Sequence, residues 1–359
     1  MREVFRAPQA RLSGCAHICG LLCLSDQPGC KDGSYGRTRS HLLISQVMSL
    51  LFTALSTRAT PSAREVARLC VGMRGIGSTS RCSNDSVNPQ GPGSTTHFGY
   101  KTVPTESKES LVKGVFSSVA SKYDVMNDAM SMGVHRLWKD QFVSLLDPGR
   151  RKPVKCLDVA GGTGDIALRI LDSARERWAD RETSVRLLDI NPEMLAEGQK
   201  RFKKTMYHNT PQVAFTLGNA QELPRDSCPD NEYDLYTIAF GIRNCTDVQA
   251  VLNEAFRTLK PGGTFSCLEF SKVRNLLLAQ LYDTYSFSVI PMLGSILASD
   301  RTSYQYLVES IRRFPPQEEF ANMIAQAGFK VGDIHEGEGG AWIDLWGGIA
   351  SIHTGKKPL

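Results

Sequence analysis

The chain has 359 residues, more than one ordinary domain needs, with 42 Lys and Arg against 37 Asp and Glu and a formal net charge of +5. Up to Thr95 eleven bases face five acids, so that segment carries +6 and the remainder −1, which leaves the rest without the positive excess a nucleic-acid backbone requires. Six of the ten cysteines precede residue 95, only Cys156, Cys228, Cys245 and Cys267 follow, and no Cys-x-x-Cys pair occurs, so neither a disulfide framework nor a structural metal is expected.

In chain order, residues 1–95 read as a leader. They are rich in Arg and Ser and poor in acid, the composition of an organellar transit peptide. Met48 offers a cleaner start, with Glu65 the one acid of the following 28 residues, and residues 1–47 are expected to be an upstream extension or a mis-called start. Residues 42–55 are apolar but broken by Ser45, Gln46 and Ser49, too short a run to span a bilayer. Domain residues 96–359 then begin with a helical stretch, 106–146, interrupted at Met132-Gly133. A βα rhythm follows, with strands at 153–160, 184–189, 213–217, 233–240 and 264–270. Helices start after Thr163 and at Pro192 and cover 247–259, and Lys260-Pro261-Gly262-Gly263 turns into the fifth strand. Residues 329–334 and 348–353 supply the last strands. Such alternation predicts a mostly parallel sheet with helices on both faces.

Residues 271–317 are too long for a strand–helix connection, and 276–297 are rich in Leu, Tyr, Phe, Ile and Met. Asp283 and Pro291 argue against a transmembrane helix. The expectation is an inserted helical cap over the carboxyl edge of the sheet, lining a pocket for an apolar substrate.

Leu157-Asp158-Val159-Ala160-Gly161-Gly162-Thr163-Gly164-Asp165 reads as a buried strand end, a glycine turn and a helix start, and Asp189 closes the next strand 25 residues past Gly164. Open α/β sheets hold nucleosides across such strand ends, and a carboxylate at Asp189 can accept two hydrogen bonds from a ribose diol. A dinucleotide turn would read G-x-G-x-x-G and keep its helix N-terminus free for pyrophosphate, whereas Asp165 there would repel a phosphate. The acids suit a cationic ligand, S-adenosylmethionine, with its sulfonium and ammonium. The pattern is that of class I methyltransferases, acid-x-Gly-x-Gly-x-Gly, with Ala160 in the first glycine slot. The expected fold is therefore α/β: a Rossmann-like class I S-adenosylmethionine-dependent methyltransferase with a seven-stranded, mostly parallel sheet, N-terminal helices and the cap insertion.

From Thr96 to about Lys356 the chain resembles the ubiquinone/menaquinone biosynthesis C-methyltransferases. Besides the glycine turn, the resemblance is carried by Thr96-His97-Phe98-Gly99-Tyr100, Tyr123-Asp124-Val125-Met126-Asn127-Asp128, Phe240-Gly241-Ile242-Arg243-Asn244, Leu268-Glu269-Phe270-Ser271 and Ser303-Tyr304-Gln305-Tyr306-Leu307-Val308-Glu309-Ser310-Ile311. Residues 336–346, rich in Gly and with two Trp, depart from it.

The resemblance implies cofactor contacts at Gly161, Gly162, Thr163, Asp189, Asn219 and Ala220, with Asn219 at the adenine edge. It implies methyl transfer to an aromatic carbon of a polyprenyl benzoquinol, without metal. Electron density from an ionised ring hydroxyl drives such a transfer, and alignment of the reactants is a large part of the catalysis. Arg243 is too basic to accept a proton and is read as a cation that stabilises the phenolate, directly or by polarising a water. Asn244 would orient the quinol oxygen, and Tyr123 would close the pocket and relay a proton. His97 and His135 are read as structural, and Asp128 as a helix cap or a rival proton acceptor. By the same resemblance the chain would sit on the matrix side of the mitochondrial inner membrane, in peripheral contact with it. It would work in a multi-subunit ubiquinone-synthesis complex, with room for a homodimer and no nucleic-acid partner: neither [Asn/Asp/Ser]-Pro-Pro-[Tyr/Phe] nor Pro-Cys occurs.

Overall fold

The computed structural model describes residues 95–120, 123–289, 301–332 and 340–359. The expected leader lies outside the described residues except for Thr95, and so does part of the expected cap. Described chain opens with an antiparallel hairpin, β1 (Thr95–Phe98) and β2 (Lys101–Pro104), with Phe98 opposite Lys101. Three helices follow: α1 (Thr105–Val119), α2 (Tyr123–Ser131) and α3 (Val134–Leu146). The interruption expected at Met132-Gly133 is present, and both residues have positive φ (50° and 78°). Glycine takes that conformation without the steric cost a side chain brings. Residues 121 and 122, between α1 and α2, lie outside the described residues.

The main sheet is built from β3 (Lys155–Val159), β4 (Ser184–Asp189), β5 (Val213–Leu217), β6 (Tyr233–Ala239), β7 (Leu259–Phe270), β8 (Lys330–Val331), β9 (Trp342–Leu345) and β10 (Ala350–Lys356). Seven of them form one hydrogen-bonded path, β5-β4-β3-β6-β7-β10-β8, and β9 pairs with β10 off that path. The pairs from β5 to β7 are parallel, whereas β10 runs antiparallel to β7, from Ala350 opposite Phe270 to Lys356 opposite Thr264. β4 and β5 match the expected limits. β7 starts earlier than expected: Leu259 pairs with Tyr233 before the Pro-Gly-Gly residues bulge out and Thr264 resumes the register opposite Leu235.

Helices α4 (Asp165–Trp178), α5 (Pro192–Phe202) and α6 (Val248–Thr258) make the crossovers. The side chain of Asn191 caps α5 by accepting from Met194 N at 3.0 Å, and Asp247 caps α6 by accepting from Ala250 N at 3.0 Å. Central strands are apolar on both faces. Leu187 packs with Trp138 and Phe142 of α3 and Ile170 of α4 on one side, while Leu157, Val159 and Ile238 meet Val251, Leu252 and Ala255 of α6 on the other. Each such fully buried large side chain contributes roughly 1.5–3 kcal/mol. Because β3 neighbours β4 on one edge and β6 on the other, the crossovers diverge at β3 and open a crevice at its carboxyl end.

Between β7 and β8 the described chain carries α7 (Leu276–Thr284), a π-helical turn over Tyr285–Val289, α8 (Arg301–Arg313) and α9 (Gln317–Gln326). α7 buries none of its residues, and Leu276 is 82% exposed. The Tyr285 hydroxyl donates to Met130 O at 2.9 Å and ties this region to α2.

Candidate functional site: a crevice at the end of the first parallel strand

The glycine turn leaves β3 at Val159. Gly161 N donates to Leu188 O at 3.1 Å, and Gly164 N donates back to Gly161 O at 2.9 Å. A Cβ on Gly161 would stand 2.8 Å from both Asp158 Oδ2 and Leu187 Cγ, so the backbone can lie this close to the strand only without a side chain. Ala160 accepts a positive φ of 51° in the first glycine slot, strain of the kind found at functional sites.

Three acids surround this turn, and they differ in charge balance. Asp165 opposes burial with cations: Lys139 Nζ lies at 2.9 Å, and Arg169 and Arg201 at 3.3 and 3.4 Å. Burial pushes its carboxyl up, but the three cations overcome it and hold it well below the usual carboxylate range. The expectation that Asp165 offers its charge to a ligand is therefore corrected: that charge is already matched. Asp158 and Asp189 have no such partners. Asp158 accepts from Thr237 Oγ1 at 2.8 Å through Oδ1, while the buried Oδ2 has no hydrogen-bond partner among the described residues. Burial pushes this carboxyl up to about 7, the Thr237 bond opposes it, and Asp189 adds to the rise. Asp189 accepts from Gly162 N at 2.9 Å and Asn191 N at 2.8 Å, yet burial still raises it to about 6. Two buried, unmatched carboxylates beside a side-chain-free turn form a cradle for a cation, and S-adenosylmethionine fits it.

One cavity brings together eight of the nine site residues expected from the sequence: Tyr123, Gly161, Gly162, Thr163, Asp189, Asn219, Ala220 and Asn244. The Thr163 hydroxyl donates to Asp124 Oδ1 at 3.4 Å, and Asp124 is ion-paired with Arg201. Asn219 Nδ2 donates to Glu109 Oε2 at 3.3 Å, and its Oδ1 accepts from Gln221 N at 2.9 Å. The Asn219 side chain is thus occupied at both ends. Glu109 and Phe116 of α1 line the cavity from the N-terminal side, and Phe116 packs against the Tyr123 ring with centroids 6.1 Å apart. The helical spacing of α1 gave no sign that it would wall the crevice.

Arg243, the ninth, is not among the residues lining that cavity. It belongs to a short 3-10 turn, Ile242–Asn244, and its side chain is 4% exposed. Its Nη1 donates to Glu269 Oε1 at 2.8 Å and to Phe240 O at 2.5 Å, and its backbone N–H to Glu269 Oε2 at 3.4 Å. Burial pushes the Glu269 carboxyl up and Arg243 pulls it down. The sequence reading of Arg243 as a cation for the phenolate did not name this partner, although Glu269 was visible as the one acid in the run 264–270. Asn244 has a partner of its own: the Tyr306 hydroxyl of α8 donates to its Oδ1 at 3.1 Å. Phe240, at the junction, has a positive φ of 55°.

His135 is buried, is hydrogen-bonded through Nδ1 to Ser131 Oγ at 2.8 Å and is held near 4 by burial and by Lys139. Asp128 forms a two-pronged pair with Arg136, both contacts at 2.6 Å, well inside α2 rather than at its cap. Cys245 lines the cavity as a thiol that burial pushes up to about 12.

Residues 104–357 match the sequence profile described as the ubiE/COQ5 methyltransferase family. The chain is 55% identical over 300 residues to the mitochondrial 2-methoxy-6-polyprenyl-1,4-benzoquinol methylase of Schizosaccharomyces pombe, across 80% of this chain and 96% of that one. It is 46% identical over 311 residues to the protein of that name from Dictyostelium discoideum, covering 79% and 95%. To the ubiquinone/menaquinone biosynthesis C-methyltransferase UbiE of Nitrobacter hamburgensis it is 50% identical over 268 residues, covering 74% and 98%.

Proposed function

Because the chain belongs to the ubiE/COQ5 methyltransferase family, S-adenosylmethionine-dependent enzymes of the class I fold, we propose that it methylates a ring carbon of 2-methoxy-6-polyprenyl-1,4-benzoquinol in ubiquinone biosynthesis. The observation that carries this reading is the continuity of one cavity from the glycine turn and Asp189 to Phe240 and Asn244, which gives donor and acceptor a common space. The names of the relatives from Schizosaccharomyces pombe and Dictyostelium discoideum supply the substrate.

When bound, S-adenosylmethionine supplies an electrophilic methyl group on a sulfonium. Asp189 would hold the ribose hydroxyls, Thr163 and the glycine turn would hold the amino-acid end, and Asp158 would offset the positive charge. With the Asn219 side chain tied to Glu109 and Gln221, the backbone of Asn219 and Ala220 would be left for the adenine edge. On the acceptor side Asn244 orients the ring oxygen. Arg243 keeps its ion pair with Glu269 and acts on that oxygen through a water. Tyr123, backed by Phe116, closes the crevice and relays the ring proton.

The same reading puts the protein at the matrix face of the mitochondrial inner membrane, within a multi-subunit quinone-synthesis assembly and with a homodimer as its own oligomer. The names of the mitochondrial relatives support the compartment, and the exposed Leu276, Leu277 and Leu281 of α7 support the membrane contact; no described helix is long and apolar enough to cross a bilayer. The test is mass spectrometry of a reduced, short-tailed 2-methoxy-benzoquinol incubated with the purified protein and S-adenosylmethionine. Gain of one methyl on ring carbon is expected; methylation of RNA but not of the quinol would overturn the reading.

A further inference from the structure

Asn244 can meet a ring oxygen either with its carbonyl or with its NH2, and only the NH2 favours a phenolate. Tyr306 decides which. A buried phenol must place its proton on an acceptor, and the acceptor this one meets is Asn244 Oδ1, at 3.1 Å. Turning the amide over would set Nδ2 against the hydroxyl and take that acceptor away. With Oδ1 held, Nδ2 is the polar end left for the cavity that Asn244 lines. Burial raises the Tyr306 phenol well above its ordinary range, so it remains a donor. The ring itself is fixed: Phe98 of β1 stacks on it with centroids 4.3 Å apart and planes 18° from parallel. Glu309, one helical turn along α8, accepts from Tyr100 N at 2.9 Å and anchors the same hairpin.

We propose that Tyr306 is a positioning residue that locks the Asn244 amide with its NH2 toward the acceptor's ring oxygen, making Asn244 a hydrogen-bond donor to the phenolate. The inference rests on the quinol-methylation reading above. Tyr306→Phe keeps the aromatic stack and removes only the hydroxyl. It is expected to lower kcat about tenfold, the effect of weakening one hydrogen bond to a charged group, with the affinity for S-adenosylmethionine unchanged. In an Asn244→Ala background the same change is expected to cost nothing further, because the residue through which Tyr306 acts is gone. A second readout needs no turnover: 2-methoxy-4-nitrophenol titrated in the site should ionise about one pH unit lower in the wild type than in Tyr306→Phe. Equal losses of kcat in both backgrounds, or the same bound phenol pKa in wild type and Tyr306→Phe, would overturn the proposal alone. A wild type that neither binds the phenol nor methylates the quinol would overturn it together with the functional reading.

Discussion

The Thr237 hydroxyl donates to one oxygen of Asp158 at 2.8 Å and leaves the other buried, with no hydrogen-bond partner among the described residues. Burial holds Asp158 near 7 and Asp189 near 6, both above the ordinary carboxylate value of about 3.9. Between about pH 4 and 7 the folded apoprotein therefore binds more protons than the unfolded chain, and these two groups lose it stability as pH rises through that window. A cationic ligand requires the ionised forms, so its affinity should run the other way. Calorimetry is expected to show S-adenosylmethionine binding about tenfold tighter at pH 8 than at pH 6, with proton release, and a flatter profile for Asp158→Asn. An affinity independent of pH would show that neither carboxylate changes ionisation on binding.

Gly161→Ala places a methyl 2.8 Å from Asp158 Oδ2 and Leu187 Cγ. The strand must shift to admit it, at about 1–3 kcal/mol, and the cradle shifts with it. Thermal unfolding should fall by several degrees, and cofactor binding should be lost at concentrations that saturate the wild type. Unchanged affinity would mean the ligand does not approach the backbone here.

Glu269→Gln leaves the Arg243 guanidinium buried without its counter-charge, and loss of one member of a buried pair costs about 3–5 kcal/mol. The double variant Arg243→Met/Glu269→Leu removes both charges and should recover most of that stability in urea unfolding while remaining inactive. If the double variant is no more stable than Glu269→Gln, the cost lies in packing rather than in the unmatched charge.

Leu276, Leu277 and Leu281 expose apolar surface on a helix that buries nothing. Replacing all three with Glu should reduce sedimentation with anionic vesicles and leave turnover of a short-tailed quinol within about twofold, since surface changes away from a site are usually small. Equal vesicle binding by both proteins would assign the membrane contact to another face.

Strand positions were legible because β3, β4 and β6 bury most of their residues in short apolar runs, and the edge strand 213–217, though only half-buried, is bounded by the Gly218 turn that follows it. The cofactor side was legible for a related reason, since a glycine turn and a spaced carboxylate are local in sequence. The acceptor side was less so. Arg243 was seen as a cation, but its meaning depends on Glu269, which lies on a neighbouring strand, and that of Asn244 on Tyr306, from a helix more than sixty positions away. Asp165 misled for the same reason: its three cations come from α3, α4 and α5. A residue's type is written in the chain, but its electrostatic company is decided by packing.

The position of β10 has a consequence for biogenesis. This strand, among the last in sequence order, lies between β7 and β8 and hydrogen-bonds to both, and β9 also joins the sheet only through it. A chain emerging from the ribosome N-terminus first cannot seal that side of the sheet until residues 350–356 have left the exit tunnel. Nascent chains stalled before residue 350 should therefore be held by chaperones and digested readily, whereas chains extended beyond β10 should become protease-resistant in a single step.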